Sequence, residues 1–286
     1  MTGFDVIVCG SLHLDIMVKA PALPRIDETA VGSSWQKVCG GKGGNQAVQA
    51  ARAGARTAMI GRVGDDEFGL TLRGNLQAAG VDDSGVTMDP VHGSGMSVAI
   101  LQDDGDYGAV IVSGSNLAID ASTLLEQWQG LGGAKVLVLQ NEVPHLVNVT
   151  AARAARAGGA KVVFNAAPAR DGGSDLLELV DVLIVNRVEA ETMLGCPVHD
   201  RASARLALTG QTASIIITLG GDGLVIAQAS GDVVEMAAVP VQVISTHGAG
   251  DCFVGVLAAQ LATGCDLIEA CRVANAQAAA HVSRAY

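Results

Sequence analysis

From residue 135 onward, short apolar runs rich in Val and Ile alternate with segments of helical periodicity. This alternation is the strongest constraint on the fold. Val136-Leu137-Val138-Leu139 precedes a helical stretch over 145–157, and residues 161–165 precede a short helix near 176–179. Residues 182–185 lead into helices over 188–194 and 201–208, followed by a strand over 214–218. Runs this apolar are strands covered on both faces, and covering helices between them make consecutive strands parallel. Residues 224–227 and 232–236 read instead as an antiparallel pair, and an Ala-rich helix over 267–282 closes the chain. The N-terminal part follows the same rule, with a strand over 6–10, another over 57–63 and a helix over 68–79. The expected class is α/β, a mostly parallel sheet sandwiched by helices, in one domain spanning residues 1–286.

Two segments break the rule. Residues 16–38 and 96–113 each read as a pair of strands with no helix between them, the second pair joined by the turn Asp103-Asp104-Gly105-Asp106. They predict a small β layer acting as a lid. Trp35 and Tyr107 lie on it, suited either to covering a ligand or to packing lid against lid in a homodimer. Aromatic residues make up only 3% of the chain, so the core must be built from Val, Ile, Leu and Ala. A net charge of −11 argues against a nucleic-acid partner. The six cysteines have no metal-ligand or CxxC spacing, which suggests reduced thiols and a cytoplasmic setting. No apolar run reaches the length of a membrane span, so no membrane partner is expected.

Glycine-rich junctions carry the functional signal. Ser245-Thr246-His247-Gly248-Ala249-Gly250-Asp251 follows an apolar run over 239–244 that reads as a strand, and precedes a helical run over 253–261. Free N–H groups at such a helix start form an anion site, with Asp251 beside it. Taken alone, the turn is equally compatible with Asp251 serving as a helix cap. Gly40-Gly41-Lys42-Gly43-Gly44-Asn45-Gln46-Ala47 opens another helix. It is neither a Walker A loop nor a dinucleotide fingerprint, and Asn45 can be read as a hydroxyl ligand or as a cap. Asp15, Glu142, Asn186 and Gly220 all follow the ends of predicted strands, the edge where α/β sheets bind ligands.

These motifs resemble the ribokinase-like (PfkB) carbohydrate kinases. The match lies in Gly40 to Ala47, in Thr246-His247-Gly248-Ala249-Gly250-Asp251, in Asn186-Arg187-Val188-Glu189 as the family's N-x-x-E, and in Gly114-Ser115-Asn116 after the lid. The order is the family's, and the first motif is similar to that of its ribokinase branch. The resemblance implies ATP-dependent phosphorylation of a sugar hydroxyl, with D-ribose the leading substrate. It implies Asp251 as base, and Gly248, Ala249 and Gly250 as the anion hole. Asp15, Gly41, Lys42, Asn45 and Glu142 would hold the sugar, Lys42 also reaching toward phosphate. Asn186, Thr218, Gly220, Gly223, Gly250 and Asn275 would line the nucleotide site, and Glu189 would organise Mg²⁺ through water.

Two departures from the family pattern bear on specificity. Ser245-Thr246-His247 stands where the family usually begins Asp-Thr-Thr or Asp-Thr-Asn, which bears on a monovalent cation such as K⁺ near Ser245 and His247. His13 stands where Asn is usual in Asn-x-Asp, which bears on the choice of sugar. Two alternatives stay open: a nucleoside kinase of the same family, with Trp35 stacking on a base, and a sugar-binding regulator with little catalysis.

Overall fold

The computed structural model describes residues 3–102, 107–170, 173–208 and 214–284. In chain order, β1 (Phe4–Cys9) is followed by β2 (His13–Lys19), β3 (Ser34–Gly40), α1 (Lys42–Arg52), β4 (Thr57–Gly64), α2 (Glu67–Ala78) and β5 (Asp82–Asp89). Next come β6 (Gly95–Leu101), β7 (Tyr107–Val112), α3 (Leu124–Gly130), β8 (Ala134–Gln140), α4 (His145–Ala157) and β9 (Lys161–Asn165). Then follow α5 (Ser174–Leu177), β10 (Val182–Asn186), α6 (Arg187–Leu194), α7 (Arg201–Leu208) and β11 (Ser214–Thr218). β12 (Leu224–Ala227), β13 (Val233–Met236), α8 (Ala249–Ala262) and α9 (Leu267–Val282) complete the described elements.

Nine strands form one sheet in the order β13-β12-β11-β10-β9-β8-β1-β4-β5. All neighbours from β11 to β5 pair parallel, and β12 and β13 add an antiparallel margin. The central strands explain the layering. Val6, Val8, Val136 and Val138 belong to one core with Ala47, Leu72, Leu257 and Ala270, from α1, α2, α8 and α9. Their neighbours Ile7, Cys9, Leu137 and Leu139 belong to a second core with Val147, Ala152, Leu176 and Leu208, from α4, α5 and α7. Alternate side chains point to opposite faces, so strands apolar at every position are stable only between two helical layers. Burying each such Leu or Ile side chain contributes about 1.5–3 kcal/mol.

From β1 the chain adds strands in one direction (β4, β5) and later in the other (β8 to β11). The order therefore switches between β1 and β8, and the crevice beyond their carboxyl ends is where such sheets bind ligands. The second sheet, β3-β2-β6-β7, rises from that crevice. β2 starts four residues after β1 ends, and α1 starts two residues after β3 ends. Two antiparallel pairs are joined in it by a parallel β2–β6 pairing.

The structure departs from the sequence reading at residues 239–244, at β5 and at Asp15. Residues 239–244 form no strand: they carry no sheet pairing, and Val243 and Ile244 are exposed. Pro240 lacks a donor for a ladder, and the neighbouring position beside β12 is already occupied by β13. The Gly248–Asp251 turn is thus a loop-to-helix junction. β5, which the sequence reading left out, pairs with β4 at the sheet edge. Asp15 does not end a strand but lies inside β2, opposite Val38 and Ser97. The expected turn at Asp103 to Asp106 lies outside the described residues, as does the side chain of Tyr107.

Candidate active site

Asp251 lies in the first turn of α8, whose N-cap is Gly248, in the left-handed region at φ 72° and with no side-chain cap. A carboxylate there could fold back onto its own helix, but this one does not. Asn45 Nδ2 donates to Asp251 Oδ2 at 2.9 Å, and Gln46 Nε2 donates to Oδ1 at 2.9 Å, both from α1. The reading of Asp251 as a helix cap is removed by these bonds. Burial pushes the Asp251 carboxyl above the usual aspartate range, and the nearby Glu142 charge adds to the rise. Lys42 and the two amide donors oppose it. Cys252 makes the helix's first backbone bond, to the Gly248 oxygen at 2.9 Å, so the N–H groups of Gly250 and Asp251 precede the ladder. Ala249 N–H reaches the Thr246 oxygen at 3.3 Å, a long bond that partly engages one expected anion donor.

At the strand crossover, Glu142 follows β8 and faces the start of α1. Its Oε2 accepts from Ser11 Oγ at 2.5 Å and from the Lys42 backbone N–H at 2.9 Å. Gly41, at φ 82°, offers α1 no side-chain cap, and Glu142 supplies that acceptor from across the crevice. His13 Nδ1 is 4.0 Å from the same oxygen, while its Nε2 is buried without a partner. Asp15 Oδ1 accepts from Ser97 Oγ at 2.5 Å, tying β2 to β6. Asn116 braces the intervening loop, accepting from Leu12 N–H at 2.9 Å and donating to Leu12 O at 2.8 Å. The Gly114-Ser115-Asn116 segment thereby fixes the base of the second sheet.

Two cavities continue from Asp251. The smaller, about 230 Å³, is lined by Lys42, Asn186, Glu189, Thr218, Gly250 and Asp251 among others. The larger, about 680 Å³, shares Asn186, Thr218 and Gly250 with it, and opens between Gly220, Gly223, Val243 and Asn275. The small polar chamber thus leads into a longer, more apolar trough. Asn186 and Glu189 form a reciprocal capping box. Glu189 N–H donates to Asn186 Oδ1 at 2.9 Å, and Asn186 N–H to Glu189 Oε2 at 2.8 Å. Burial raises the Glu189 carboxyl above its usual range. Asn275 Nδ2 donates to Ala237 O at 2.8 Å, fixing the far wall of the trough. A further cavity of about 940 Å³ lies at the amino end of the strands, around Phe4, Arg56 and Trp128, away from all these groups.

The site thus gathers the expected residues into two adjoining zones: Asp15, Gly41, Asn45 and Glu142 near the crossover, and Asn186, Thr218, Gly220, Gly223 and Asn275 along the trough. Lys42, Gly250 and Asp251 stand between them. Sequence reasoning gave no role to Ser11, Ser97 or Gln46. The first two are ordinary serines, one in the β1–β2 connection and one inside β6, but Gln46 stood inside a quoted motif, next to Asn45. Among the described residues no three His, Cys, Asp or Glu side chains cluster as a metal site. Glu189 and Asp251 both line the small chamber, a donor set of the kind that suits a Mg²⁺ held mainly by phosphate oxygens.

An uncapped helix start beside a buried carboxylate, at the mouth of a polar chamber joined to an apolar trough, is an arrangement suited to phosphoryl transfer onto a small molecule. Residues 4–286 match the family described as "pfkB family carbohydrate kinase". A ribokinase of Bacillus subtilis (strain 168) is 32% identical over 279 residues, 97% of this chain and 92% of the relative. A ribokinase of Mus musculus is 34% identical over 263 residues, 90% of this chain and 81% of the relative. The solved Arabidopsis thaliana ribokinase complexed with ribose and ATP superposes with a TM-score of 0.91 at 28% identity, covering 100% of this chain and 94% of that one. The chain belongs to the pfkB family of carbohydrate kinases, and it is an ATP-dependent sugar kinase.

Proposed function

We propose that this kinase transfers the ATP γ-phosphoryl group to the hydroxymethyl oxygen of a pentose, with D-ribose as substrate and ribose 5-phosphate and ADP as products. The observation that carries the reading is the Asp251 carboxylate, held by Asn45 and Gln46 beside the free N–H groups of Gly250 and Asp251. The relatives named ribokinase supply the choice of sugar. In this reading Asp251 takes the hydroxyl proton while the oxygen attacks the γ-phosphorus and the bond to the ADP oxygen breaks. Charge on the transferred group is met by the helix start formed by Gly248, Ala249 and Gly250. One such backbone donor is worth roughly 3–4 kcal/mol of transition-state stabilisation.

Asp15, Gly41, Asn45 and Glu142 hold the sugar. Lys42 stands between sugar and phosphates. The trough takes the base and ribose of ATP against Thr218, Gly220, Gly223 and Asn275, with Asn186 and Gly250 at the phosphate end. Glu189 would hold Mg²⁺ through water, and that ion, when bound, neutralises phosphate charge. The second sheet acts as a lid over the sugar. Its exposed Trp35, Val110, Ile111 and Val112 make it the surface for a homodimer. No described helix is long and apolar enough to cross a membrane, and the proposed setting is the cytoplasm.

The test is ADP release across pentoses, hexoses and nucleosides, each with and without K⁺, for the wild type and for Asp251→Asn. Ribose should give the highest kcat/KM, and Asp251→Asn should lower kcat by about 10³-fold or more with little change in ribose binding. Turnover confined to nucleosides would remove ribose as substrate. Near-normal turnover by Asp251→Asn would remove Asp251 as base.

A further inference from the structure

Behind Asp251 lies a chain of buried amides that the phosphoryl-transfer chemistry does not by itself require. Gln46 and Gln140 are fully buried, and Asn165 is nearly so. Gln140 Nε2 donates to Gln46 Oε1 at 2.8 Å. Gln46 Nε2 in turn donates both to Asp251 Oδ1 at 2.9 Å and to Asn165 Oδ1 at 3.1 Å. Asn165 Nδ2 donates onward to the Ile184 oxygen at 3.2 Å, on β10. The orientation of each amide is set by its neighbours in the chain, although Gln140 Oε1 at its end is buried without a partner. Asn165 must turn its oxygen to Gln46 because its NH₂ faces a carbonyl, and Gln46 must turn its oxygen to Gln140. The NH₂ of Gln46 is therefore locked toward the carboxylate. Gln140 is anchored at the carboxyl end of β8, where Asn148 Nδ2 also holds its backbone oxygen at 2.7 Å.

We propose that Gln46, oriented by Gln140 and Asn165, is a positioning residue that fixes the Asp251 carboxylate for proton abstraction. The relay rests on Asp251 being the base of the reaction. Its purpose follows from the local electrostatics. Burial and Glu142, on the loop after β8, disfavour an ionised Asp251. Lys42, on α1, favours it but also acts on Glu189 and stands at the polar chamber, where it is free to follow the phosphates. Asn45, on the same helix, is half-buried at the sugar side and can exchange its bond to Asp251 for a sugar hydroxyl. Gln46 is the donor that cannot leave, because its other partners are buried protein groups. It keeps one carboxylate oxygen bonded, so the other is presented to the substrate in a constant direction while the residue stays ionised.

The experiment is the pH dependence of kcat and of sugar KM for wild type, Gln46→Met, Gln140→Met and Asp251→Asn, with thermal melts as a folding control. In Gln46→Met, kcat on the acid limb should fall roughly tenfold, the worth of one hydrogen bond to a charged group, and recover toward wild type as pH rises. Gln140→Met, which does not touch Asp251, should shift the limb in the same direction by a smaller amount. A Gln46→Met profile that superimposes on wild type, or that is lowered equally at every pH, overturns the proposal. If Gln46→Met does not fold, either result in Gln140→Met does so. Failure of the underlying reading is seen separately, as substantial turnover by Asp251→Asn.

Discussion

The same substitution at two helical glycines should have opposite effects, and the difference tests how closely the two active-site helices must approach. Gly255 on α8 faces α1, where an added Cβ would stand 2.5 Å from the Gln46 backbone oxygen and 2.7 Å from Gln49 Cβ. Relief to ordinary contact at 3.4 Å takes about 0.9 Å of separation. The bonds from Asn45 and Gln46 to Asp251, now 2.9 Å, would then stretch toward 3.8 Å, past the range of a hydrogen bond. Overpacking of this kind costs about 1–3 kcal/mol, which for a chain of this size lowers Tm by roughly 2–10 °C. Losing the donors around the base should reduce kcat by roughly 10–100-fold, since each is a bond to a charged group. Gly74 on α2 is exposed, and an added Cβ there meets nothing within 4 Å. Gly74→Ala should stabilise by about 0.5–1 kcal/mol, through helix propensity alone, and leave kcat unchanged. Thermal melts followed by circular dichroism and coupled ADP-release rates on both variants decide the matter. A Gly255→Ala protein with wild-type Tm and wild-type kcat would refute the claim that close approach of α1 and α8 sets the base.

Two further outcomes are expected. Glu189 is buried with its folded carboxyl raised, so ionising it opposes folding. The folded state then binds a proton more tightly than the unfolded chain, and stability rises as pH falls through the folded value. Glu189→Gln keeps an acceptor for the Asn186 N–H but removes the charge. It should melt higher than wild type at pH 7, with the gap closing on acidification, and should need more Mg²⁺ for half-maximal rate; a Mg²⁺ requirement equal to wild type would remove Glu189 from the metal. Asp15→Asn retains an acceptor for Ser97 Oγ but loses its charge, and should raise sugar KM by about tenfold with kcat little changed. Initial rates at saturating ATP measure this, and an unchanged KM would exclude Asp15 as a sugar ligand.

What could be read in the sequence follows physical locality. Strands buried on both faces announce themselves, so β8 to β12 and the helices α4, α7 and α9 stand within a residue or two of where their patterns put them. β5 was hidden because Asp82-Asp83-Ser84-Gly85 carries no strand signature. It is a strand only because β4 offers it a parallel edge. The reverse error at 239–244 arose from a run with the composition of a strand but no partner to pair with. Gly43 and Gly44 lie inside α1, contrary to their propensity, because the helix start passes against the Gly10–Ser11 backbone at Gly43 and against the Leu12 side chain at Gly44. At the site, residue types could be read but partners could not. Nothing local to Glu142 says that it caps a helix 100 residues upstream, or local to Gln46 that it bonds a carboxylate 205 residues away.

The helix starts themselves explain why the chemistry sits where it does. α2, α6 and α9 carry their own caps, with Asp66, Asn186 and Asp266 each accepting from a backbone N–H in the first turn. α1 and α8 begin instead at the positive-φ glycines Gly41 and Gly248, and neither glycine can supply a side-chain acceptor. At α1 the deficit is met from outside, because Glu142 accepts the Lys42 N–H. At α8 the nearest carboxylate, Asp251, is drawn away by Asn45 and Gln46 on α1. The N–H groups of Gly250 and Asp251 at the start of α8 thus have no side-chain cap, and the carboxylate that could have capped them is turned toward α1. In the proposed mechanism, this one exchange between two helices would supply both the anion hole and the proton acceptor. It would also make the close approach of α1 to α8 at Gly255 a condition of catalysis as well as of packing.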